Sequence, residues 1–519
     1  MKIKSLHLAL AAVLLSALAA PLAAARPAPD GAARVVRSGS LHEPLGIDPA
    51  QVWDDISSFY IANIFDTLVS LAPQTMRTEP SLAVSWETSQ DGLTWTFNLR
   101  RGVRFQDGTP FDADAVVFTF SRQMDPANPN RLTDFPLFYE IFTYLKTVRR
   151  ISQYQVQFIL SEPFFPFLPS LTADCAAIVS PAALKKAGAA FARRPVGTGP
   201  YKLTSWQKDK RLVLTANPDY WRGRPLIDEY IDTIDPRGEV LSTMFREGTV
   251  DIIYAYSISK MASYKKQDWV QVVASPYLSV TYVVLNSARP ALKSRGVRQA
   301  LCHAWDPRAV KLVFQDYVLP IHSLLPQAMT GDIPEGTPLD FSLAKAQALL
   351  KKESAGGEIE LEMLVQKDDG LIFQLLSMYA KNLKQVGVKL RLTRLDPAAY
   401  AQRIARGDFD LSYSGWVADY PDPDSILFPL MSERLQKQGF ANISGCKRKD
   451  FPAMLTQARR EGDAKKRLAI YRAINRAMVN DGLVLPIFQD KRVILANRKL
   501  GNVQPNPLGR IFIYDFKMK

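Results

Sequence analysis

The chain has 519 residues, with 65 Lys and Arg against 51 Asp and Glu, 47% hydrophobic residues and three Cys. That length exceeds one ordinary core, so two or three lobes are expected, and the apolar and aromatic content excludes a disordered chain. Cys175, Cys302 and Cys446 are too far apart for a disulfide framework or a paired-Cys metal or redox motif. At most one disulfide can form among them, and Cys175 and Cys302 read as small buried hydrophobes.

Lys2 and Lys4 precede an apolar run over residues 6–20, Pro21 breaks it, and Ala23, Ala24 and Ala25 supply small residues for cleavage. This pattern predicts a secretory signal peptide over residues 1–25, cut after Ala25, because the run is shorter than the ~20 residues needed to span a bilayer. No Cys near the cut supports a lipid anchor, so a soluble exported chain is expected. Loss of Lys2 and Lys4 lowers the formal charge from +14 to +12. The basic residues come in short groups, such as Arg149-Arg150 and Lys465-Lys466-Arg467. That distribution is a basic surface, and no nucleic-acid partner is expected.

Strand and helix signals then alternate to the C-terminus. Residues 94–100 (Thr-Trp-Thr-Phe-Asn-Leu-Arg) and 155–160 (Gln-Val-Gln-Phe-Ile-Leu) alternate in character as strands do, and 212–215 does so less cleanly. Asp340 is a candidate N-cap for a helix over 343–352 that the Gly356-Gly357 pair ends. Residues 373–386 carry apolar side chains at helical spacing up to Gly387, and a strand over 388–392 follows at once. Residues 409–413 read as a buried strand that emerges into a loop punctuated by Pro421 and Pro423. A helix over 464–479 leads through Gly482 into the apolar run 483–488. Helices feeding strands across short turns predict an α/β architecture.

Several kinds of chemistry are missing. The sequence has no Gly-x-x-x-x-Gly-Lys phosphate loop, no His-Glu-x-x-His and no Gly-x-Ser-x-Gly elbow. Beyond the signal peptide, His42, His303 and His322 remain as possible bases, and nothing in their spacing marks a nucleophile. Binding is favoured over catalysis, and no cofactor or metal is expected.

A co-linear series of motifs carries a resemblance. It begins with Pro80-Ser-Leu-Ala-Val-Ser-Trp86, followed by Asp91-Gly-Leu-Thr-Trp95 and Asp107-Gly-Thr-Pro110. Pro195-Val-Gly-Thr-Gly-Pro-Tyr201 and Asn217-Pro-Asp-Tyr-Trp221 come next, then Gly248-Thr-Val-Asp-Ile252, Val297-Arg-Gln-Ala-Leu301 and Asp419-Tyr-Pro-Asp-Pro423. Over nearly the whole mature chain this series resembles the solute-binding proteins of ABC transporters, in particular the oligopeptide- and dipeptide-binding family. By themselves these motifs are architectural: Gly197-Thr-Gly199-Pro200 reads as a rigid turn in which glycine supplies unusual backbone angles. Trp86, Trp95 and Trp221 read as core plugs.

The resemblance implies an α/β, bilobed periplasmic-binding-protein clamp of the large peptide-binding type, with an extra inserted domain. Lobe I is expected over 26–80, 196–286 and 486–519, the inserted domain II over 81–195, and lobe III over 287–485. Crossings at 285–290 and 484–488 would form the hinge. A monomer is expected, capturing di- or oligopeptides in the periplasm for an inner-membrane ABC permease with separate ATPase subunits. Non-peptide solutes of the same receptor class (a cationic small molecule, an opine, haem, a glycoside or nickel) stay open, as do an exported hydrolase and a chaperone-like clamp.

For the site, the resemblance gives Asp419 the role of pairing with the peptide's α-ammonium group. On the residues alone, an Asp beside Pro is commonly a turn former. Trp416 and Tyr420 flank it as candidate walls for ligand side chains, and Trp53 and Asp54 are candidates on the opposite wall. Asp422 and Asp424 read as a turn residue and a helix cap. Dipeptide-preferring relatives hold the C-terminal carboxylate with an Arg before the long helix of the third lobe. Here that stretch is Gln366-Lys-Asp-Asp-Gly370, so Lys367 is the candidate, without the forked geometry of a guanidinium.

Overall fold

The computed structural model describes residues 33–51, 54–72, 75–131, 143–254, 261–330, 340–353, 357–366, 370–437, 439, 448 and 450–519. The expected signal peptide, Trp53, Lys367 and Cys446 lie outside the described residues.

The first described strand lies in the middle of a sheet. Val35–Ser40 pairs in parallel with Glu229–Ile234 on one side and with Ile252–Tyr254 on the other. The antiparallel strands Arg211–Ala216 and Tyr201–Gln207 extend the sheet outward. Helix Asp55–Ile64 packs Tyr60, Ile61 and Ile64 into the core beneath it, with Val36, Leu212, Leu214 and Tyr230.

The segment between these elements forms a sheet of its own, in the order Ala83–Thr88, Thr94–Leu99, Gln155–Leu160 and Leu145–Ser152. Trp95, Phe97 and Leu99 are buried while Asn98 is exposed, the alternation that one covered face demands. Arg122 of helix Ala113–Met124 reaches out of this unit to a fully buried, bidentate pair with Asp48, at 2.6 and 3.0 Å.

The third unit holds the parallel strands Val388–Leu395, Ile359–Gln366 and Leu411–Val417, covered by helices that include Gly370–Gln385. Gly387 ends that helix region with φ +84°, a conformation glycine adopts without penalty. The expected helices and strands are present with ends shifted by a few residues, as at Leu343–Glu353 and Ala464–Asn480. Asp340 does not cap the first of these. Its carboxylate pairs with Lys345, while Ser342 Oγ accepts the Lys345 backbone N–H at 3.3 Å.

One strand joins the first and third units. The apolar run at 483–488 opens a strand of 14 residues, Val484–Asn497. Its first part pairs with Ser279–Leu285, and its second part with Val270–Pro276. The changes of partner therefore fall side by side, near Tyr277 and Gln489, and not at 285–290 and 484–488. Gln489 Nε2 donates to the Tyr277 carbonyl at 2.6 Å, and the Asp490 N–H donates to Ser279 Oγ at 3.0 Å. Ser279–Leu285 belongs to the sheet of the third unit because all seven of its residues are buried there against both neighbours. Asn286 and Arg289 bond Asp410 in that unit as well, so the expected bounds at 286/287 and 485/486 cut through paired structure.

The glycines of the Gly197-Thr-Gly199 turn do not have positive φ, contrary to expectation. They are needed because the chain passes against the end of helix Asp55–Ile64. A Cβ on Gly197 would stand 2.2 Å from the Ile64 carbonyl oxygen, and Gly199 donates its N–H to that same oxygen at 2.9 Å. Cys175 and Cys302 are buried free thiols.

Candidate functional site

A cavity of about 450 Å³ opens between the first and third units. Its first-unit wall is built from Ser40 to His42, the start of helix Asp55–Ile64, Asp232, Tyr254 and Arg492; its third-unit wall is Gly415 to Asp419. The C-terminal segment Leu508 to Ile511 and Asp174 complete the lining. The volume lies in the range of pockets that hold small molecules, roughly 300–1,000 Å³.

The third-unit wall is the exit of strand Leu411–Val417, where Val417 still faces Ser279 in the ladder. The Ala418 N–H donates to the Leu278 carbonyl at 2.7 Å, and the Asp419 N–H donates to Ser425 Oγ at 2.8 Å. These two bonds fix the Asp419 backbone, and its half-buried side chain lines the cavity. Among the described residues its carboxylate forms no ion pair. Withdrawal from water, and then the neighbouring Asp174, push its pKa up to about 7, while Arg510 pulls the other way. Trp416 also lines the cavity.

Tyr420 is not brought to the cavity wall. The turn at Pro421 sends it inward, 4% exposed, where its hydroxyl donates to Asp424 Oδ2 at 2.9 Å. Asp424 in turn holds Arg459 through both carboxylate oxygens, at 2.7 and 2.9 Å, and accepts from Tyr471. Asp424 is thus a buried ion-pair partner and not a helix cap. Asp422 takes the turn role by accepting the Asp424 N–H at 3.0 Å. Arg459 also donates to the Tyr144 hydroxyl at 2.7 Å, and its carbonyl accepts from Phe165 at 2.9 Å, so this cluster ties the third unit to the inserted one.

Asp54 stands on the first-unit wall. It caps helix Asp55–Ile64, with Oδ1 accepting the Ser57 N–H at 2.9 Å, and its buried Oδ2 has no partner among the described residues. Asp232 is buried deeper, accepting from Ser38, Ser40 and Tyr60 at 2.6 to 2.9 Å, and burial pushes its pKa up.

Among the lining residues that escaped sequence reasoning are Asp174, Asp232, Arg492 and Arg510. Asp174 precedes Cys175, and only the thiol drew notice. The others sit in unremarkable strand or loop sequence and meet the site only through folding. Arg510 donates to the Thr172 carbonyl at 2.7 Å and pairs with Asp174 at 2.9 Å. Arg492 pairs with Asp55 at 2.8 Å. Asp54, Asp55, Asp174, Asp232 and Asp419 thus face Arg492 and Arg510, five acids to two guanidinium groups, an excess that favours a cationic group in the ligand.

Two units facing each other across a cavity of small-molecule size, joined by paired strand crossings, define a solute-binding clamp. The chain matches the model of the bacterial extracellular solute-binding proteins, family 5 Middle, over residues 77–437, and it belongs to that family. It is similar to the dipeptide-binding protein of Escherichia coli K12, 29% identical over 86% of this chain and 87% of that one. Heme-binding protein A of Haemophilus influenzae is 28% identical, over 86% of this chain and 85% of that one. The structure of HbpA2 from Haemophilus parasuis superposes with a TM-score of 0.82 at 26% identity, covering 93% of this chain and all of that one. This chain is a solute-binding protein with the α/β bilobed fold of that class.

Proposed function

We propose that this protein is the peptide receptor of an ABC importer, with Asp419 as the anchor for the peptide's α-ammonium group. The observation that carries the reading is the Asp419 carboxylate: it lines a cavity between two units, is raised to a pKa of about 7, and forms no ion pair among the described residues. A carboxylate in that state gains most from an incoming cation, because a charge-assisted hydrogen bond offsets its desolvation. The similarity to a dipeptide-binding protein supports the same ligand class.

In this reading the receptor works in the periplasm as a monomer. Ligand contacts to both units favour the closed form, which delivers the peptide to a permease powered by separate ATPase subunits. Asp54 and Trp416 line the pocket around the ligand. Trp53 and Lys367 remain candidates outside the described residues.

The test is calorimetric titration of the mature protein with matched peptides bearing free or acetylated N-termini. Free peptides are expected to bind at least tenfold tighter, and Asp419→Ala is expected to remove that preference while leaving the circular dichroism spectrum unchanged. Equal affinity of the wild type for the two forms would overturn the anchor. A haem or other non-peptide mass in native mass spectrometry of periplasmic protein would replace the peptide by that solute.

A further inference from the structure

The cavity carries a second charged group suited to a ligand, of opposite sign to Asp419. We propose that Arg492 holds the C-terminal carboxylate of the bound peptide, in place of the Lys367 stretch. The assignment rests on the peptide-receptor reading and specifies which side chain reads the far end of the ligand.

Three observations favour Arg492. The first concerns partners. Arg510 is occupied on both terminal nitrogens, by the Thr172 carbonyl and by Asp174. Among the described residues Arg492 has one ion pair, to Asp55, and its buried Nε has no hydrogen-bond partner. A guanidinium presents donors in a fork that suits a carboxylate, so Arg492 retains binding capacity that Arg510 has used.

The second concerns the partner it already has. The Asp55 side chain is 55% exposed, and an ion pair so open to water contributes little. A ligand carboxylate entering the closed cavity therefore meets weak competition, and Asp55 can turn to solvent.

The third concerns placement. Arg492 lies in the second part of strand Val484–Asn497, paired with Pro276-side residues of the first unit, and its guanidinium stands 5.0 Å from the centre of the Tyr277 ring. Gly509, with φ +75°, passes close by: a Cβ there would be 3.2 Å from Arg492 Nη2 and 3.0 Å from Tyr277. Aromatic face and glycine together position the guanidinium without crowding it. Asp419 belongs to the third unit, so a zwitterion held at one end by Asp419 and at the other by Arg492 ties the two units together. Short peptides with both termini free are the ligand class this arrangement selects.

The experiment uses native mass spectrometry and competition calorimetry on the mature protein, with two otherwise identical libraries of di- and tripeptides. One library carries free C-termini and the other C-terminal amides. The wild type is expected to prefer the acids by about tenfold or more. Arg492→Gln is expected to bring acid and amide to equal affinity by weakening the acids alone, and Arg492→Lys to restore part of the preference. Equal binding of both libraries by the wild type would overturn the Arg492 assignment and leave the peptide reading standing. Retention of the full acid preference by Arg492→Gln would also overturn it. Binding of neither library would refute the peptide reading and this assignment with it. If the variants fail to fold, equal binding of both libraries by the wild type still overturns the assignment.

Discussion

Arg510 and Asp174 form a 2.9 Å ion pair beside Asp419, and the two partners act on that carboxylate in opposite directions. The negative charge of Asp174 raises the Asp419 pKa and the positive charge of Arg510 lowers it, with desolvation as the larger cause. The pair therefore adjusts, on top of desolvation, how much of Asp419 is ionised when no ligand is present.

A pH dependence of affinity follows. A bound ammonium group favours ionised Asp419, so its pKa is lower in the complex than the value of about 7 in the free protein. Affinity should rise with pH up to about 7 and fall again as the peptide amine deprotonates near 8. Binding below pH 7 should release protons, measurable by calorimetry in buffers of different ionisation enthalpy. In Asp174→Asn, which removes one raising influence, the acidic limb should move to lower pH. An unmoved limb would show that Asp174 does not couple to the anchor.

The buried pair of Arg122 and Asp48 links the inserted unit to the first one, with both side chains fully buried. Arg122→Ala leaves the Asp48 charge buried and uncompensated, and should cost about 3–5 kcal/mol in denaturant titration. Replacing both, as in Arg122→Met with Asp48→Leu, should recover most of that loss. If the single variant costs under about 1 kcal/mol, the pair is not a structural tie.

Gly197→Ala would place a methyl group 2.2 Å from the Ile64 carbonyl oxygen, inside any tolerable contact. Backbone on both sides of this contact leaves little room to relax, so about 3 kcal/mol of destabilisation is expected. Gly102→Ala is a useful comparison, because its Cβ would meet nothing within 4 Å although φ is +78°. Thermal melts should show Gly197→Ala as the more damaged variant, and the reverse order would refute close approach as the reason for glycine.

Local pattern made much of the fold legible. Alternation marked Thr94–Leu99 and Gln155–Leu160, and helical spacing marked Gly370–Gln385 and Ala464–Asn480, because each buries one face against its own neighbours. Co-linear motifs then identified the clamp and pointed to Asp419 and Asp54. Tyr420 was misread because a flanking position in sequence does not fix side-chain direction, and the turn at Pro421 aims it at Asp424.

Composition, periodicity and motif order determined the α/β class, the receptor family and, with Asp54, the cavity acid Asp419, since each depends on residues close in the chain. The tertiary structure alone decided where the chain crosses between units and which groups surround that acid. Asp174, Arg492 and Arg510 are brought toward Asp419 from segments far apart in sequence, and burial, which no local pattern records, is the largest influence on its charge.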